Sequence, residues 1–387
     1  MRRVKKLIAL KKFRKAYIAA VRKPLKEKKV LFISDVRDSL DGNLKFVSDE
    51  IAGSDLETLV ICRDVQRHGY SDEYITQTAE AIATSKYVLM EDVLGFLSEA
   101  DARPGQKFVQ LWHAAGAFKK FGFSRLANEG EKIRISTGYR KYTNATASAE
   151  FIRDKYAEAF DIDIDKVKAC GVPRTDLFFD RKAMENSRNS LHEKYPVLKD
   201  SRMILFAPTY RGTRPAEATY DFGRLDFDIL AEDLRKMAKE DGCRYVWVFK
   251  WHPAMASNGA TNSIRRTVEK NSDVMADLTE VRDINNLLAA SDMLITDYSS
   301  VLFDYSLLEK PVIYYPYDLE EYYSDRSFYF PYDEYIFGRV AADQKELVDA
   351  IRAGDMMENK RDSFRQKFMS ACDGRSTEKV CAWIFEE

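Results

Sequence analysis

The sequence predicts an α/β protein made of two Rossmann-type parallel-sheet domains with a basic N-terminal helix. Three observations carry this prediction. The chain has 387 residues, more than one ordinary hydrophobic core accommodates. Short apolar runs rich in β-formers alternate with helix-length amphipathic stretches, the pattern of a parallel sheet covered on both faces. A polar, charged stretch at residues 180–201 separates one such series from another.

Residues 1–27 read as a basic amphipathic arm. Residues 1–29 hold 13 Lys/Arg and one Glu, against 48 basic and 61 acidic residues in the remainder, so the net charge of −1 hides a basic arm on an acidic body. Such an arm suits a polyanionic surface, either nucleic acid or the cytoplasmic face of the membrane. Val4, Leu7, Ile8, Phe13, Tyr17, Ile18 and Val21 recur at roughly helical spacing, with no Gly or Pro before Pro24. That favours a helix on anionic lipid over an RNA contact or a solvated tail, although Lys11 and Arg14 interrupt its apolar face. The chain therefore reads as peripheral to the membrane, with no nucleic acid as partner.

The first sheet domain, residues 28–185, has strand patterns at 28–35, 56–63, 85–92 and 107–114, with weaker ones at 142–149 and 166–174. The second, residues 200–371, has them at 202–210, 244–253, 292–300 and 310–318, and residues 372–387 read as a closing helix. No window approaches the roughly 18 apolar residues of a membrane span, and the basic N-terminus lacks the unbroken apolar segment of a secretory signal. Cys62, Cys170, Cys243, Cys372 and Cys381 lie far apart, without CxxC or zinc-like spacing. They fit reduced thiols in a cytoplasmic protein, with no metal and no cofactor implied.

Chemistry-bearing residues gather where strands end, which is where open α/β sheets bind ligands. His113 follows "VQLW" and Arg174 follows "GVP". "APTYRG" sets Pro208, Thr209, Tyr210, Arg211 and Gly212 beyond one strand, and "FKWHP" sets Lys250, Trp251 and His252 beyond the next. "TDYSS" brings Asp297, Ser299 and Ser300 to the start of a helical pattern. A lone histidine is more often a packed core residue, and a serine turn alone is more often a plain N-cap. Cationic and hydroxyl donors on successive strand ends instead suit a diphosphate.

The ordered set "QLWHAAGAFKKFG", "GVPRTD", "APTYRG", "KWHP", "ITDYSSVLFDYSLLEKPVIYYPYDLEEY" and "CDGRSTEKV" resembles the CDP-glycerol glycerophosphotransferase family, the teichoic-acid and capsule primases and polymerases of bacteria. The likeness spans about residues 30–381, with the basic arm outside it. It implies a GT-B-like fold, with two Rossmann-type domains facing a cleft and the second holding a CDP-polyol. It implies transfer of a polyol phosphate, glycerol 3-phosphate before ribitol phosphate, to a hydroxyl of a lipid-linked acceptor with release of CMP. Carried across by motif, donor contacts fall on Ala114, Ala115, Gly116, Ala117, Arg174, Pro208 to Gly212, Lys250 to His252, Ser299, Ser300 and Asp304. The chain departs from the familiar His-Gly-Thr-Pro-Leu of that family at His113-Ala114-Ala115-Gly116-Ala117, which leaves the polyol preference open. A homo-oligomer is also left open.

Phosphoryl transfer to an alcohol needs a base, charge neutralisation at phosphorus and help for the departing phosphate. His113 is the expected base. His252, Arg211 and the Ser299/Ser300 turn are expected to hold the diphosphate, with Arg174 adding charge and the run of small residues after His113 allowing close approach. Asp304 is expected toward the donor's hydroxyls; Asp297, Glu320 and Glu321 are second candidates, the two glutamates for ribose hydroxyls. Two rival readings remain: a GT-B glycosyltransferase or epimerase acting on a nucleotide sugar, and a non-catalytic binding protein.

Overall fold

The structure, a computed structural model, describes residues 2–125, 137–212, 215–325 and 327–386. The chain divides into two compact units, one of Met1–Asp176 with Phe368–Glu387 and one of Leu177–Lys367. The polar stretch read as a junction lies inside the second unit. Most of it is a helix, Arg181–Lys194, capped by Asp180 and burying only Leu191.

The first unit holds β1 (Lys26–Ser34), β2 (Glu57–Cys62), β3 (Ser85–Met90), β4 (Lys107–Gln110), β5 (Asn144–Thr146) and β6 (Val167–Lys168), in spatial order β2-β1-β3-β4-β5-β6. The second holds β7 (Ser201–Phe206), β8 (Arg244–Phe249), β9 (Met275–Asp277), β10 (Met293–Thr296), β11 (Val312–Tyr314) and β12 (Arg339–Val340), in the order β12-β11-β10-β7-β8-β9. Every strand pairing within the two sheets is parallel. Parallel strands are covered on both faces, so the central ones read as unbroken apolar runs. Val30 to Ile33 of β1 and Val246 to Phe249 of β8 are completely buried. The sequence pattern missed β9 and β12, which at three and two residues are too short to show a periodicity and lie at the outermost positions of their sheet.

Counted within its own unit, the second sheet has the doubly wound order 3-2-1-4-5-6. Strand order reverses between β7 and β10 there, and between β1 and β3 in the first unit. Loops leaving the carboxyl ends of those strands flank the crevice where such sheets bind ligands.

The chain's last segment returns to the first unit. Asp176 of "GVPRTD" accepts from Ser376 N at 2.9 Å, Thr377 N at 2.7 Å and Thr377 Oγ1 at 2.6 Å, capping the helix Ser376–Cys381 of "CDGRSTEKV". Gly171 has φ +91°, and a Cβ there would sit 2.3 Å from Ser376 Oγ, so these two motifs meet where only glycine fits. Val380, Trp383 and Ile384 then complete the first core.

The basic arm is α1 (Arg2–Ala20) and belongs to the first unit. Ala9, Phe13, Tyr17 and Ala20 are buried, Phe13 stacks on Phe96 at 4.5 Å, and Tyr17 donates to Asp101 O at 2.5 Å. Lys12 and Lys23 pair with Asp72 and Glu80. Phe13 and Tyr17 of the apolar set are thus spent on docking. Val4, Leu7, Ile8 and Ile18 stay exposed among the remaining lysines. Among the described residues no helix is long and apolar enough to cross a membrane.

Candidate active site

In the first unit, β4 delivers His113 to an exposed position, its side chain 45% accessible, which excludes the packed-core reading. Trp112 before it has φ +55°, a left-handed conformation costly for a bulky residue. Neighbours hold that turn in place. Trp112 N donates to Gln110 Oε1 at 2.9 Å, and Trp112 O accepts from Asn43 Nδ2 at 2.7 Å. The Trp112 ring is buried and stacks on Phe121 at 4.6 Å. The imidazole Nδ1 lies 3.1 Å from Asp92 Oδ1 and 3.3 Å from Glu91 O, both from the end of β3. With two acceptors beside it, Nδ1 carries the proton, and the lone pair of the neutral ring is on Nε2.

The residues after His113 serve packing. Ala115, Gly116 and Ala117 are buried, Gly116 N donates to Ser148 Oγ at 3.1 Å, and Tyr156 Oη lies 2.9 and 2.8 Å from the carbonyl oxygens of Ala114 and Gly116. These small residues, expected to let a ligand approach His113 closely, let the loop seat against its own unit, and of the four only Ala114 is partly accessible. Arg174 is also buried, its N–H donating to Asn43 Oδ1 at 3.0 Å. Its charge acts on Glu91, whose carboxyl burial pushes up to about 7 against the opposing pull of Arg37.

In the second unit, the loops after β7 and β10 are tied together at the point where strand order reverses. Asp297 accepts from Thr209 N at 2.7 Å and Tyr298 N at 2.6 Å, and pairs with Arg211 at 2.9 Å. Arg211 also makes a bidentate pair with Asp318, at 2.5 and 2.7 Å, and lies 5.0–5.7 Å from the ring centres of Tyr220, Tyr298, Tyr317 and Tyr322. Two carboxylates therefore neutralise Arg211. In this arrangement Arg211, expected as a diphosphate contact, staples two strand-end loops to Asp318, which the sequence reading did not single out.

Lys250 and Trp251, also expected as donor contacts, are held by their own unit. Lys250 Nζ donates to the carbonyls of Thr279 at 2.9 Å and Val281 at 2.7 Å, and burial lowers its ammonium to about 8. Trp251 is fully buried and stacks on Phe249 at 5.4 Å, supporting the loop from beneath.

The polar groups that reach the surface here are fewer. His252 is exposed and caps the helix Pro253–Ser257, its Nδ1 accepting from Ala254 N at 3.2 Å, with its ring 4.7 Å from that of Tyr210. An Nδ1 that accepts places the neutral ring's proton on Nε2, the opposite tautomer to that of His113. Ser299 and Ser300 are half-buried, and the Ser300 hydroxyl makes no capping bond to the helix Val301–Tyr305. Thr209 Oγ1 is enclosed without a hydrogen-bond partner among the described residues. Pro208 is buried, Tyr210 half-buried and Gly212 exposed. Asp304 is buried in the first turn of its helix, whereas Glu320 and Glu321 are exposed on the helix Leu319–Asp325.

Sequence reasoning missed Arg37, Asn43, Glu91, Asp92 and Asp318. Paired acidic residues closing the third strand pattern were the available signal for Glu91 and Asp92.

The family described as CDP-Glycerol:Poly(glycerophosphate) glycerophosphotransferase matches residues 15–386. The match extends into α1, so the arm is not wholly outside the likeness. A teichoic acid poly(ribitol-phosphate) polymerase of Bacillus spizizenii is 37% identical over 92% of this chain and 56% of its own length. The teichoic acid ribitol-phosphate polymerase TarK of Staphylococcus aureus is 33% identical over 93% of this chain and 69% of its own. A teichoic acid glycerol-phosphate primase of Bacillus spizizenii is 27% identical over 81% of this chain and 78% of its own. This chain thus spans between about half and two thirds of the length of the two polymerases. The solved wall teichoic acid polymerase TagF superposes with a TM-score of 0.77 at 18% identity, covering 100% of this chain and 96% of that one. A TagF variant has also been soaked with CDPG. A UDP-GlcNAc 2-epimerase from Methanocaldococcus jannaschii reaches a TM-score of 0.55 at 12% identity over 93% of this chain and 99% of its own, consistent with a GT-B-like fold.

Proposed function

For a chain that belongs to the CDP-glycerol:poly(glycerophosphate) glycerophosphotransferase family, we propose transfer of a polyol phosphate from a CDP-polyol to a hydroxyl of a membrane lipid-linked acceptor, with release of CMP. The observation that carries this is the exposed strand-end imidazole of His113, whose Nδ1 faces Asp92 Oδ1 and Glu91 O. His113, with its lone pair on Nε2, takes the acceptor's hydroxyl proton. His252, with its proton on Nε2, donates to the diphosphate and steadies the leaving CMP. Ser299, Ser300 and Thr209 Oγ1 add hydroxyl donors to the donor site, with Asp304 toward its polyol or ribose hydroxyls.

The acceptor oxygen bonds to the phosphorus bearing the polyol as the bridging bond from that phosphorus to CMP breaks. The hydroxyl proton goes to His113. Each step uses the chain's own donors and acceptors.

The sequence reading placed glycerol first. The relatives support ribitol first, since the polymerases at 37% and 33% identity carry that polyol in their names and the glycerol-phosphate primase stands at 27%. Peripheral attachment to the cytoplasmic membrane face is supported by the exposed Val4, Leu7, Ile8 and Ile18 on a lysine-rich helix.

The test is CMP release from CDP-ribitol and CDP-glycerol, with lipid-linked acceptor presented in anionic or neutral vesicles. The expected result is faster release from CDP-ribitol, and faster release on anionic vesicles. Equal or better use of CDP-glycerol returns the assignment to glycerol. Release of a nucleoside diphosphate from a UDP-sugar, with none of CMP, supports the glycosyltransferase reading instead.

A further inference from the structure

We propose that Asp92 is the positioning residue for His113, holding the imidazole so that Nε2 is the atom that receives the acceptor's proton. The inference rests on His113 being the base. Its own support is geometric. Asp92 stands at the carboxyl end of β3, beside the place where strand order reverses in the first unit, and its carboxylate is 16% exposed. Oδ1 lies 3.1 Å from Nδ1 of a ring that is itself open to solvent. A largely enclosed carboxylate facing one nitrogen of an exposed imidazole fixes both its tautomer and its orientation.

The surroundings keep this carboxylate ionised and in place. Burial alone pushes Asp92 upward, but the hydrogen bond and charge of His113, with the charge of Arg37, outweigh it and hold the group below its usual range. Arg37 pairs with Glu91 at 2.6 Å and reaches Asp92 at 3.7 Å. Glu91 Oε2 in turn accepts from Asn43 N at 2.9 Å, at the start of the helix Gly42–Glu50. Gly42 has φ +58°, and a Cβ there would lie 2.8 Å from Glu91 Oε2, so the close approach of helix and carboxylate requires glycine. Asn43, fully buried, completes the frame by holding Trp112 O and Arg174 N together. The charged groups acting on the Asp92–His113 pair are therefore Arg37 and Glu91, with Asp35 at the end of β1 and Arg174 beyond Glu91.

When the acceptor hydroxyl is deprotonated, its proton moves to Nε2 and the ring becomes an imidazolium. The Asp92 carboxylate stabilises that cation while remaining ionised itself.

The chain has four histidines, so histidine-selective ¹⁵N labelling with a His113→Ala difference spectrum identifies the resonance of interest. The neutral wild-type ring is expected to be protonated at Nδ1, and Asp92→Ala is expected to lose that preference. In Asp92→Asn, kcat for CMP release should fall roughly 10²-fold, the cost of a misplaced reacting group, with little change in KM for the CDP-polyol. A wild-type ring protonated at Nε2 overturns the proposal without any variant, which decides the case if the Asp92 variants fail to fold. Loss of activity in His113→Ala alongside a wild-type rate and tautomer in Asp92→Asn overturns the role of Asp92 and leaves His113 as base. Retention of activity in His113→Ala overturns both.

Discussion

The strand ends of the two units use charge in opposite ways. In the second unit, Arg211 sits between Asp297 and Asp318 in an aromatic surround, so its charge is cancelled internally and its work is to hold loops together. In the first, Arg37 faces two carboxylates, and one of these reaches an exposed imidazole. The motif arginine is thus held by carboxylates of its own unit, while the imidazole of His113 faces outward. The difference teaches that residue type at a strand end is a weaker guide than the partners already waiting for it.

The largest effect that should separate the two regions is on stability. Arg211→Ala leaves the buried Asp297 and the largely enclosed Asp318 facing each other without their cation, and breaking a buried pair costs roughly 3–5 kcal/mol. Chemical denaturation should show this loss for the second unit. A change near zero would mean that Arg211 is not stapled as described and has charge to offer a ligand.

A smaller effect sharpens the first region. Burial pushes Asp35 to about 6 and Glu91 to about 7. A carboxyl raised on folding costs nothing while protonated. Its penalty begins above the unfolded value, grows as pH rises, and is complete above the folded one. Stability should therefore fall between about pH 4 and 7, by on the order of a few kcal/mol at most. Glu91→Gln should flatten that fall without removing the acceptor that Asn43 N needs. Denaturant midpoints measured across this range in both proteins check it, and parallel curves would show that Glu91 does not carry the dependence.

Much of the fold was legible because parallel strands buried on both faces write themselves as apolar runs. β1, β3, β7 and β8 are such strands, whereas the short edge strands β9 and β12 leave no pattern. His113 and His252 were legible as candidates because few histidines occur and both end strong strands. Their opposite tautomers were not, because these depend on Asp92, Glu91 O and Ala254 N, partners supplied by backbone geometry or by a different strand. The same holds for Arg211 and Lys250, which read as ligand cations until Asp318 and the carbonyls of Thr279 and Val281 come into view. α1 reads as one amphipathic arm in sequence. In three dimensions Phe13 and Tyr17 dock on their own unit, and a second set of apolar residues remains outside.

The most direct test of the account is the rate of CMP release by His113→Ala, with donor affinity measured on the same preparation. The imidazole is 45% exposed and Arg37 still faces Asp92, so the variant is expected to fold. The account predicts a loss of about 10²–10⁴-fold in turnover, the range for removal of a positioned base, with affinity for the CDP-polyol little changed. Turnover at the wild-type rate would contradict it.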